Sequence, residues 1–120
     1  MPWEIDSTTV YDEWFAGLDR GDQIIVVARV SLLMEHGPGL GRPTVDSVQG
    51  SRHSNMKELR GSSIRVLFAF DPERRAILLI GGDKRDEWQA WYDTNIPIAD
   101  ALYDRHLAGL RPAPKRKRGK

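Results

Sequence analysis

Two short apolar runs, IRVLFAF and AILLI, lie close together in this sequence and constrain its fold more than any other feature. The segment between them, DPERR, holds an aspartate and a proline that favour a tight turn, so the runs are predicted to pair as antiparallel strands. AILLI is apolar on both faces, which is typical of a central strand. In the first run, the face that should meet the helices holds Ile64, Val66, Phe68 and Phe70. The opposite face should point away from the helices and holds Arg65, Leu67 and Ala69.

The chain ahead of these strands is predicted to be mainly helical. Residues 2–6 read as a first strand, and Ser7 is a suitable N-cap for a helix whose apolar positions recur four residues apart. A second helix is predicted over QIIVVARVSLLMEH, with Gly37 as its C-terminal stop. The two helices should form a hairpin whose turn lies at Gly21 or its neighbours.

Two more strands and a last helix complete the prediction. A short strand is expected within residues 44–49, and MKELR should form another, with Lys57 and Leu59 on one face and Glu58 and Arg60 on the other. From residue 86 onward the spacing is helical again, and Pro97 should either kink this helix or start a new one. The fold class is therefore α+β: an N-terminal strand and helical hairpin packed on a three- to four-stranded antiparallel sheet, followed by a C-terminal helix.

Length and composition limit the class of protein. A chain of 120 residues with 40% hydrophobic content fits one domain, predicted over residues 1–110, and the last ten residues, RPAPKRKRGK, should form a disordered basic tail. Without cysteine, and with three scattered histidines, neither a disulfide, a metal site nor another cofactor is expected. No leader pattern and no apolar run of about 20 residues is present, so we expect a cytoplasmic protein with no membrane contact.

The charged residues are unevenly distributed. Residues 1–41 hold two arginines against seven acids, whereas residues 42–85 hold nine Lys/Arg against five acids. Apart from the tail, cations are therefore concentrated where the strands are predicted. A focused basic patch of this kind favours binding of phosphate groups.

Three blocks of the sequence, in this order and ahead of an aromatic C-terminal helix, resemble a known family. The blocks are KELR in GPGLGRPTVDSVQGSRHSNMKELR, and RVLFAFDP and GGDK in IRVLFAFDPERRAILLIGGDK. The helix is WYDTNIPIADALYDRHL. Together they resemble the RelE/HigB-type toxins of type II bacterial toxin–antitoxin systems, within the RelE/ParE superfamily. The resemblance implies a RelE-like, microbial-ribonuclease-like fold and an mRNA interferase, an endoribonuclease that typically cuts messenger RNA on the ribosome and so inhibits translation. It also implies a cognate antitoxin, usually a helix-turn-helix repressor, in a toxin–antitoxin hetero-oligomer.

The chain departs from the family pattern in two places. The connection after KELR is only Gly61-Ser62-Ser63, where many relatives have a longer and more basic hairpin. Ile64 stands where many relatives place an aromatic residue, which removes one group that could stack on a base. Contact with RNA along this loop is therefore in question.

Five residues are predicted to carry the chemistry. Cleavage by attack of a 2′-hydroxyl on the adjacent phosphate needs cations for the phosphorane, and Arg65, Arg60 and Lys84 are the candidates. Arg65 should point out of the core, and in the resembling family an arginine at this place is commonly functional. Glu58 or His53 would transfer protons. The alternative for each is a structural role: a surface ion pair for Arg65, neutralisation of Arg60 by Glu58, a solvated loop charge for Lys84, and a bystander role for His53.

A second set of residues is predicted to bind the RNA backbone or a base. Arg42, Arg52, Lys57 and Arg85 could contact phosphates, and Tyr92 could stack on a base. Some of these cations could equally be ordinary surface charges, and aromatic residues at helical spacing often belong to a core.

Two other functions compete with the enzyme. Relatives in the superfamily poison DNA gyrase by protein contact and need no acid–base pair, so a non-catalytic ParE-like toxin is one alternative. The other is a degenerate toxin that acts only as an antitoxin-binding co-repressor, which the shortened loop would fit.

Overall fold

A computed structural model describes residues 3–83 and 88–110. It has one mixed sheet of five strands between two helical layers. The predicted basic tail, Lys84 and Arg85 lie outside the described residues. The elements, in chain order, are β1 (Glu4–Ser7), α1 (Thr9–Ala16), α2 (Arg20–His36), β2 (Val45–Ser47), β3 (Met56–Gly61), β4 (Ile64–Phe70), β5 (Arg75–Asp83) and α3 (Trp88–Leu110).

The sheet has the strand order β1-β5-β4-β3-β2. The four strands β2 to β5 pair antiparallel in succession, which confirms the predicted meander. β1 pairs parallel with β5 at the opposite edge, a pairing that the sequence pattern did not predict. The predicted α+β class is confirmed, and the sheet is one strand wider than expected because β1 joins it.

Helices cover both faces of the sheet, and each face has its own apolar core. The hairpin of α1 and α2 packs on the face of Val66 and Phe68, as predicted for the first set of β4 side chains. α3 packs on the other face, against Leu67 and Ala69. Because α3 covers this second face, the prediction that Arg65 points out of the core is wrong: its side chain lies on the α3 side and is buried.

The helix ends differ in detail from the predictions. Thr8, rather than Ser7, caps α1: its Oγ1 accepts a hydrogen bond from the Tyr11 backbone N–H at 3.0 Å. The turn of the hairpin precedes Gly21, which lies inside α2, and Asp19 caps that helix. Gly37 ends α2 with a φ of 56°, as predicted. α3 is a single helix that continues through Pro97.

The glycine pair near the end of β5 receives two tryptophans. A Cβ atom on Gly81 would lie 2.3 Å from the Trp14 ring, and one on Gly82 would lie 2.1 Å from Nε1 of Trp91. The two indoles belong to helices on opposite faces of the sheet. Because neither glycine has a side chain, a helix can pack closely on each face of β5 at this point.

A buried carboxylate joins the β4–β5 turn to the end of α3. The Asp71 side chain accepts hydrogen bonds from the backbone N–H groups of Glu73 and Arg75 and from the Arg75 guanidinium. It also lies 2.9 Å from His106 Nε2. Burial alone raises the pKa of Asp71, but the hydrogen bonds from His106 and Arg75 outweigh it and lower the pKa.

This lowered pKa predicts a loss of stability in acid. The charged Asp71 stabilises the fold at pH values above the unfolded-state pKa of 3.8, and this stabilisation is lost as the pH falls through the lower folded-state pKa. We expect the free energy of unfolding, measured with urea between pH 7 and pH 2.5, to fall below about pH 4. Asp71→Asn should be less stable than the wild type at pH 7, and its free energy of unfolding should fall less between pH 7 and pH 2.5. An equal fall in the variant and the wild type would contradict this role of Asp71.

Candidate functional site

A cleft of about 510 Å³ separates the β2–β3 end of the sheet from the first turns of α3. Three residues predicted from the sequence line it: Glu58, Arg60 and Tyr92. The segment after β2 forms one wall and α3 forms the other. The remaining lining residues are Ser47, Val48, Gln49, Gly50, Gln89, Asp93, Ile96 and Pro97.

Glu58 is the centre of this site. Its side chain is only 2% exposed, yet it carries two close polar contacts. The Tyr92 hydroxyl donates to Oε1 at 2.5 Å, and Arg60 Nε donates to Oε2 at 2.9 Å. The Arg65 Nε atom lies 3.8 Å from Oε1. A buried carboxylate is stable only with such partners, so these contacts fix its position at the base of the cleft.

Tyr92 is a hydrogen-bond donor over the whole physiological pH range. Burial, together with the hydrogen bond to Glu58 and the charge of that carboxylate, raises the pKa of Tyr92 to about 12. The phenol therefore stays protonated near neutral pH. An O–H group is held against a carboxylate on the wall of an open cleft.

Arg60 bridges two acids. Besides its contact with Glu58, its Nη2 donates to Asp46 Oδ2 at 3.1 Å, and its side chain is 31% exposed. Asp46 also lies 3.6 Å from Nε of Arg42, which is largely exposed. Both alternatives for Arg60 therefore hold in part, since it is paired with Glu58 and it also presents its guanidinium to the cleft.

Arg65 supports the site from behind. It is the cross-strand partner of Arg60, so the two guanidinium groups start from neighbouring positions on one face. Its side chain is only 8% exposed, and its Nη1 donates to the backbone carbonyls of Ser62 at 2.5 Å and Ile64 at 2.9 Å. These bonds tie the guanidinium to the tight β3–β4 turn. Arg65 is thereby placed to fix Glu58 rather than to reach into the cleft.

His53 and Arg52 lie at another part of α3. His53 Nε2 is 2.7 Å from Asp104, and Arg52 Nη2 is 2.6 Å from the same carboxylate. Hydrogen bonds from Arg52 and then from His53 lower the pKa of Asp104. Asp104 follows Tyr92 by twelve residues, a helical rise of about 18 Å. The structure therefore does not bring His53 or Arg52 to the cleft.

The other predicted cations are dispersed. Lys57 lies on the opposite face of β3 from Glu58, as the alternation predicted, and lines a separate hollow of about 260 Å³ with Arg42. Lys84 and Arg85 lie outside the described residues. Within residues 3–83 and 88–110, no three histidine, aspartate or glutamate side chains come close enough together to hold a metal ion.

Sequence reasoning missed three polar residues of the site. Asp46 is the cross-strand partner of Glu58 in the pairing of β2 with β3. Its position beside the site can therefore be predicted only once this strand pairing is known. Gln89 and Asp93 line the cleft and are joined by a hydrogen bond of 2.8 Å. Gln89 and Asp93 are four residues apart in a predicted helix and lie on either side of Tyr92 in the sequence. This spacing could have indicated that they share one side of the helix.

The sequence is similar to a known family and to two proteins named as toxins. The family described as phage derived protein Gp49-like (DUF891) matches residues 13–104. HigB3 of Mycobacterium tuberculosis, a protein named as a toxin, is 54% identical over 99 residues, which cover 81% of this chain and 87% of HigB3. The chain belongs to the Gp49-like family and is a relative of HigB3. HigB2 of the same organism, also named as a toxin, is 46% identical over 98% of this chain, and the match spans 61% of the length of HigB2.

Solved structures of RelE-type toxins share the fold of this Gp49-like protein. The toxin–antitoxin complex RelBE2 of M. tuberculosis matches with a TM-score of 0.56 at 15% identity, covering 69% of this chain and 99% of that one. Isolated Escherichia coli RelE matches with a TM-score of 0.58 at 11% identity, covering 78% and 98%. At these identities the likeness concerns the fold alone. With the HigB relatives, it confirms the resemblance to RelE/HigB-type toxins that the sequence motifs indicated.

Proposed function

We propose that this Gp49-like toxin cleaves messenger RNA by attack of a 2′-hydroxyl on the adjacent phosphate. One observation carries the proposal: a buried carboxylate, Glu58, is held between a guanidinium, Arg60, and a protonated phenol, Tyr92, at the base of an open cleft. These three groups supply the charge stabilisation and proton transfer that the reaction needs.

Each group has a distinct task in this scheme. Glu58 accepts the proton of the attacking 2′-hydroxyl, because its carboxylate lines the cleft directly beside Arg60 and Tyr92. Arg60 exchanges part of its contact with Asp46 for the phosphate oxygens and stabilises the negative charge that develops there. Once Glu58 has taken up that proton, the Tyr92 hydroxyl exchanges its hydrogen bond to Oε1 for one to the leaving 5′-oxygen and gives this oxygen its proton. Glu58 then returns the proton it holds to the Tyr92 oxygen, so both groups end as they began. Arg65 is a positioning residue, because it acts on the substrate only through Glu58.

The charge of the cleft favours an RNA that is presented by the ribosome. Arg60 and Arg65 face three acids in this part of the molecule: Glu58, Asp46 and Asp93. A cleft with one more acid than cation binds a free polyanion weakly, since affinity for nucleic acid rises with the number of neutralised phosphates. We therefore infer ribosome-dependent cleavage, with the ribosome supplying the affinity and this chain the chemistry.

We also propose a cognate antitoxin as the partner of this toxin. The solved structures that share this fold include a toxin–antitoxin complex from M. tuberculosis and an archaeal RelE–RelB complex from Pyrococcus horikoshii. The latter has a TM-score of 0.57 at 11% identity and covers 71% of this chain and 98% of that one. We expect the antitoxin to be a helix-turn-helix repressor, and we expect both proteins to act in the cytoplasm.

No helix in the described part of the chain is long and apolar enough to cross a membrane.

A second candidate function is a non-catalytic toxin that acts on DNA gyrase by protein contact. The observation in its favour is that Arg60 and Arg52 are both held by acidic side chains, as expected for structural rather than catalytic cations. A degenerate toxin that only binds its antitoxin would fit the same ion pairs.

Mapping of transcript 5′ ends separates these functions. The wild-type chain and Glu58→Gln, which keeps the size of the side chain but removes its charge, are each expressed without an antitoxin. The proposal predicts growth arrest and new 5′ ends inside translated messages for the wild type, and neither for the variant. Growth arrest with intact messages and accumulated gyrase–DNA breaks would support the gyrase function. Normal growth with both proteins would support the co-repressor.

Removing Asp46 should strengthen RNA binding. Asp46→Asn takes away one of the two carboxylates that compete with phosphate for Arg60, so we expect affinity for an RNA oligonucleotide at low salt to rise about threefold to tenfold. Fluorescence anisotropy would measure it. Glu13→Gln, the same change of charge at an exposed position on α1, is the control and should change affinity less than twofold. Equal affinity of Asp46→Asn and the wild type would contradict this role of Arg60.

A further inference from the structure

The outer side of α2 is apolar, and no other element in the described part of the chain covers it. Ile24, Val27 and Met34 are 59%, 53% and 41% exposed, and Ala28 and Ser31 between them are exposed as well. None of these five side chains carries a charge. Together they form what we call the outer stripe of α2.

The outer stripe has the spacing of a helix–helix contact. Ile24, Val27, Ser31 and Met34 follow one another at intervals of three, four and three residues, the pattern of a and d positions in a coiled coil. From the first to the last of them the helix rises about 15 Å, or nearly three turns. This length suits a partner helix of three to four turns.

The inner side of the same helix already belongs to the core. Val26 and Leu33 are buried against the sheet, and Arg29 Nε donates to the Arg60 carbonyl at 3.0 Å. α2 is therefore apolar on two opposite sides, and within the described residues only the inner side is covered. An exposed apolar stripe of this kind points to contact with a second molecule.

The surrounding charge selects the kind of partner. Residues 9–36, which include both helices of the hairpin, hold five acids and two arginines, and Arg29 is turned toward the sheet. Two copies of this chain packed through α2 would bring two acidic hairpins together, and their repulsion opposes such a dimer. A helix with basic residues beside its apolar side would be attracted instead.

We propose that the outer stripe of α2 docks an amphipathic helix of another protein, with apolar residues against Ile24, Val27 and Met34 and basic residues beside them that meet the net negative charge of the hairpin. α2 and α3 pack on opposite faces of the sheet, so a helix bound at the outer stripe leaves the cleft beside α3 open. The docking surface therefore does not depend on the proposed RNA cleavage, and it can be tested on its own.

Two designed helical peptides of about 21 residues serve as probes, with the same leucines at the a and d positions but lysine or glutamate at the flanking positions. Binding of each to the full chain is measured by fluorescence anisotropy at low salt. We expect the lysine peptide to bind about tenfold more tightly than the glutamate peptide. The double variant Ile24→Gln/Val27→Gln should weaken its binding about tenfold or more. Ile98→Gln, which changes an exposed isoleucine on α3, is the matched control and should bind like the wild type.

Three results would overturn the proposal: neither peptide binds, both bind equally, or the double variant binds the lysine peptide as well as the control does. A fourth contradicting result could come from analytical ultracentrifugation. If the wild-type chain is a dimer and the double variant Ile24→Gln/Val27→Gln is a monomer, the occupant of the outer stripe is a second copy of the chain and not a basic helix. Thermal unfolding of each variant shows whether it is folded, and substitution of exposed side chains should change stability little.

Discussion

Replacing Arg60 with alanine is expected to lower the rate of RNA cleavage about 100-fold or more, because it removes the guanidinium that faces the cleft. The same change leaves the buried Glu58 without one of its two close donors. Some loss of stability should accompany the loss of activity. Single-turnover cleavage of a ribosome-bound message, measured well below the unfolding temperature of the variant, isolates the effect on the chemistry.

Arg42 offers a matched control for this experiment. It contacts the same Asp46 carboxylate as Arg60 does, but its side chain is 77% exposed and it does not line the cleft. We expect Arg42→Ala to change the cleavage rate no more than about threefold, through long-range electrostatics alone. An equal loss of rate in both variants would show that general charge, and not the position of Arg60, is responsible. An unchanged rate in Arg60→Ala would remove it from the mechanism.

A second large effect is expected at Gly82. A methyl group there would lie 2.1 Å from Trp91 Nε1, so the indole and the start of α3 must shift. Overpacking of this kind typically costs about 1–3 kcal/mol, and we expect a lower unfolding temperature. Tyr92 follows Trp91 in the sequence, and their rings are 5.4 Å apart, so its hydroxyl should leave Glu58. Gly82→Ala is therefore predicted to lose stability and cleavage together.

Gly81→Ala separates these two consequences. Its methyl group would meet the ring of Trp14 at 2.3 Å, on the face of the sheet that packs against α1. We expect a similar loss of stability in chemical denaturation but a cleavage rate within about threefold of the wild type. If Gly81→Ala lost as much activity as Gly82→Ala, the effect would come from general destabilisation and not from Tyr92.

The sequence predicted the faces of the strands better than it predicted their surroundings. The alternation of polar and apolar residues placed Glu58, Arg60 and Arg65 on one face, and the structure confirms it, since side chains in a strand have a fixed period of two. The alternation contains no information about what covers that face. The burial of Arg65 beneath α3 and the parallel pairing of β1 with β5 depend on contacts between distant parts of the chain.

Long-range pairing also explains which site residues sequence analysis placed wrongly or missed. His53 was predicted to transfer protons and Arg52 to bind RNA, but both contact Asp104, about 50 residues later. Asp46 reaches Arg60 only because β2 pairs with β3. The proximity of Tyr92 to Glu58 follows from the packing of α3 on the sheet, whereas its aromatic spacing alone fitted a core residue equally well.

The most direct test of the proposed mechanism uses a ribosome-bound message with a single 2′-deoxynucleotide at the mapped cut. The wild-type chain is predicted to cleave the all-ribose message there and to leave the deoxy message intact, because the attacking hydroxyl is missing. Glu58→Gln should cleave neither message at a comparable rate. Cleavage of the deoxy message at the same bond, or wild-type activity in Glu58→Gln, would contradict the account.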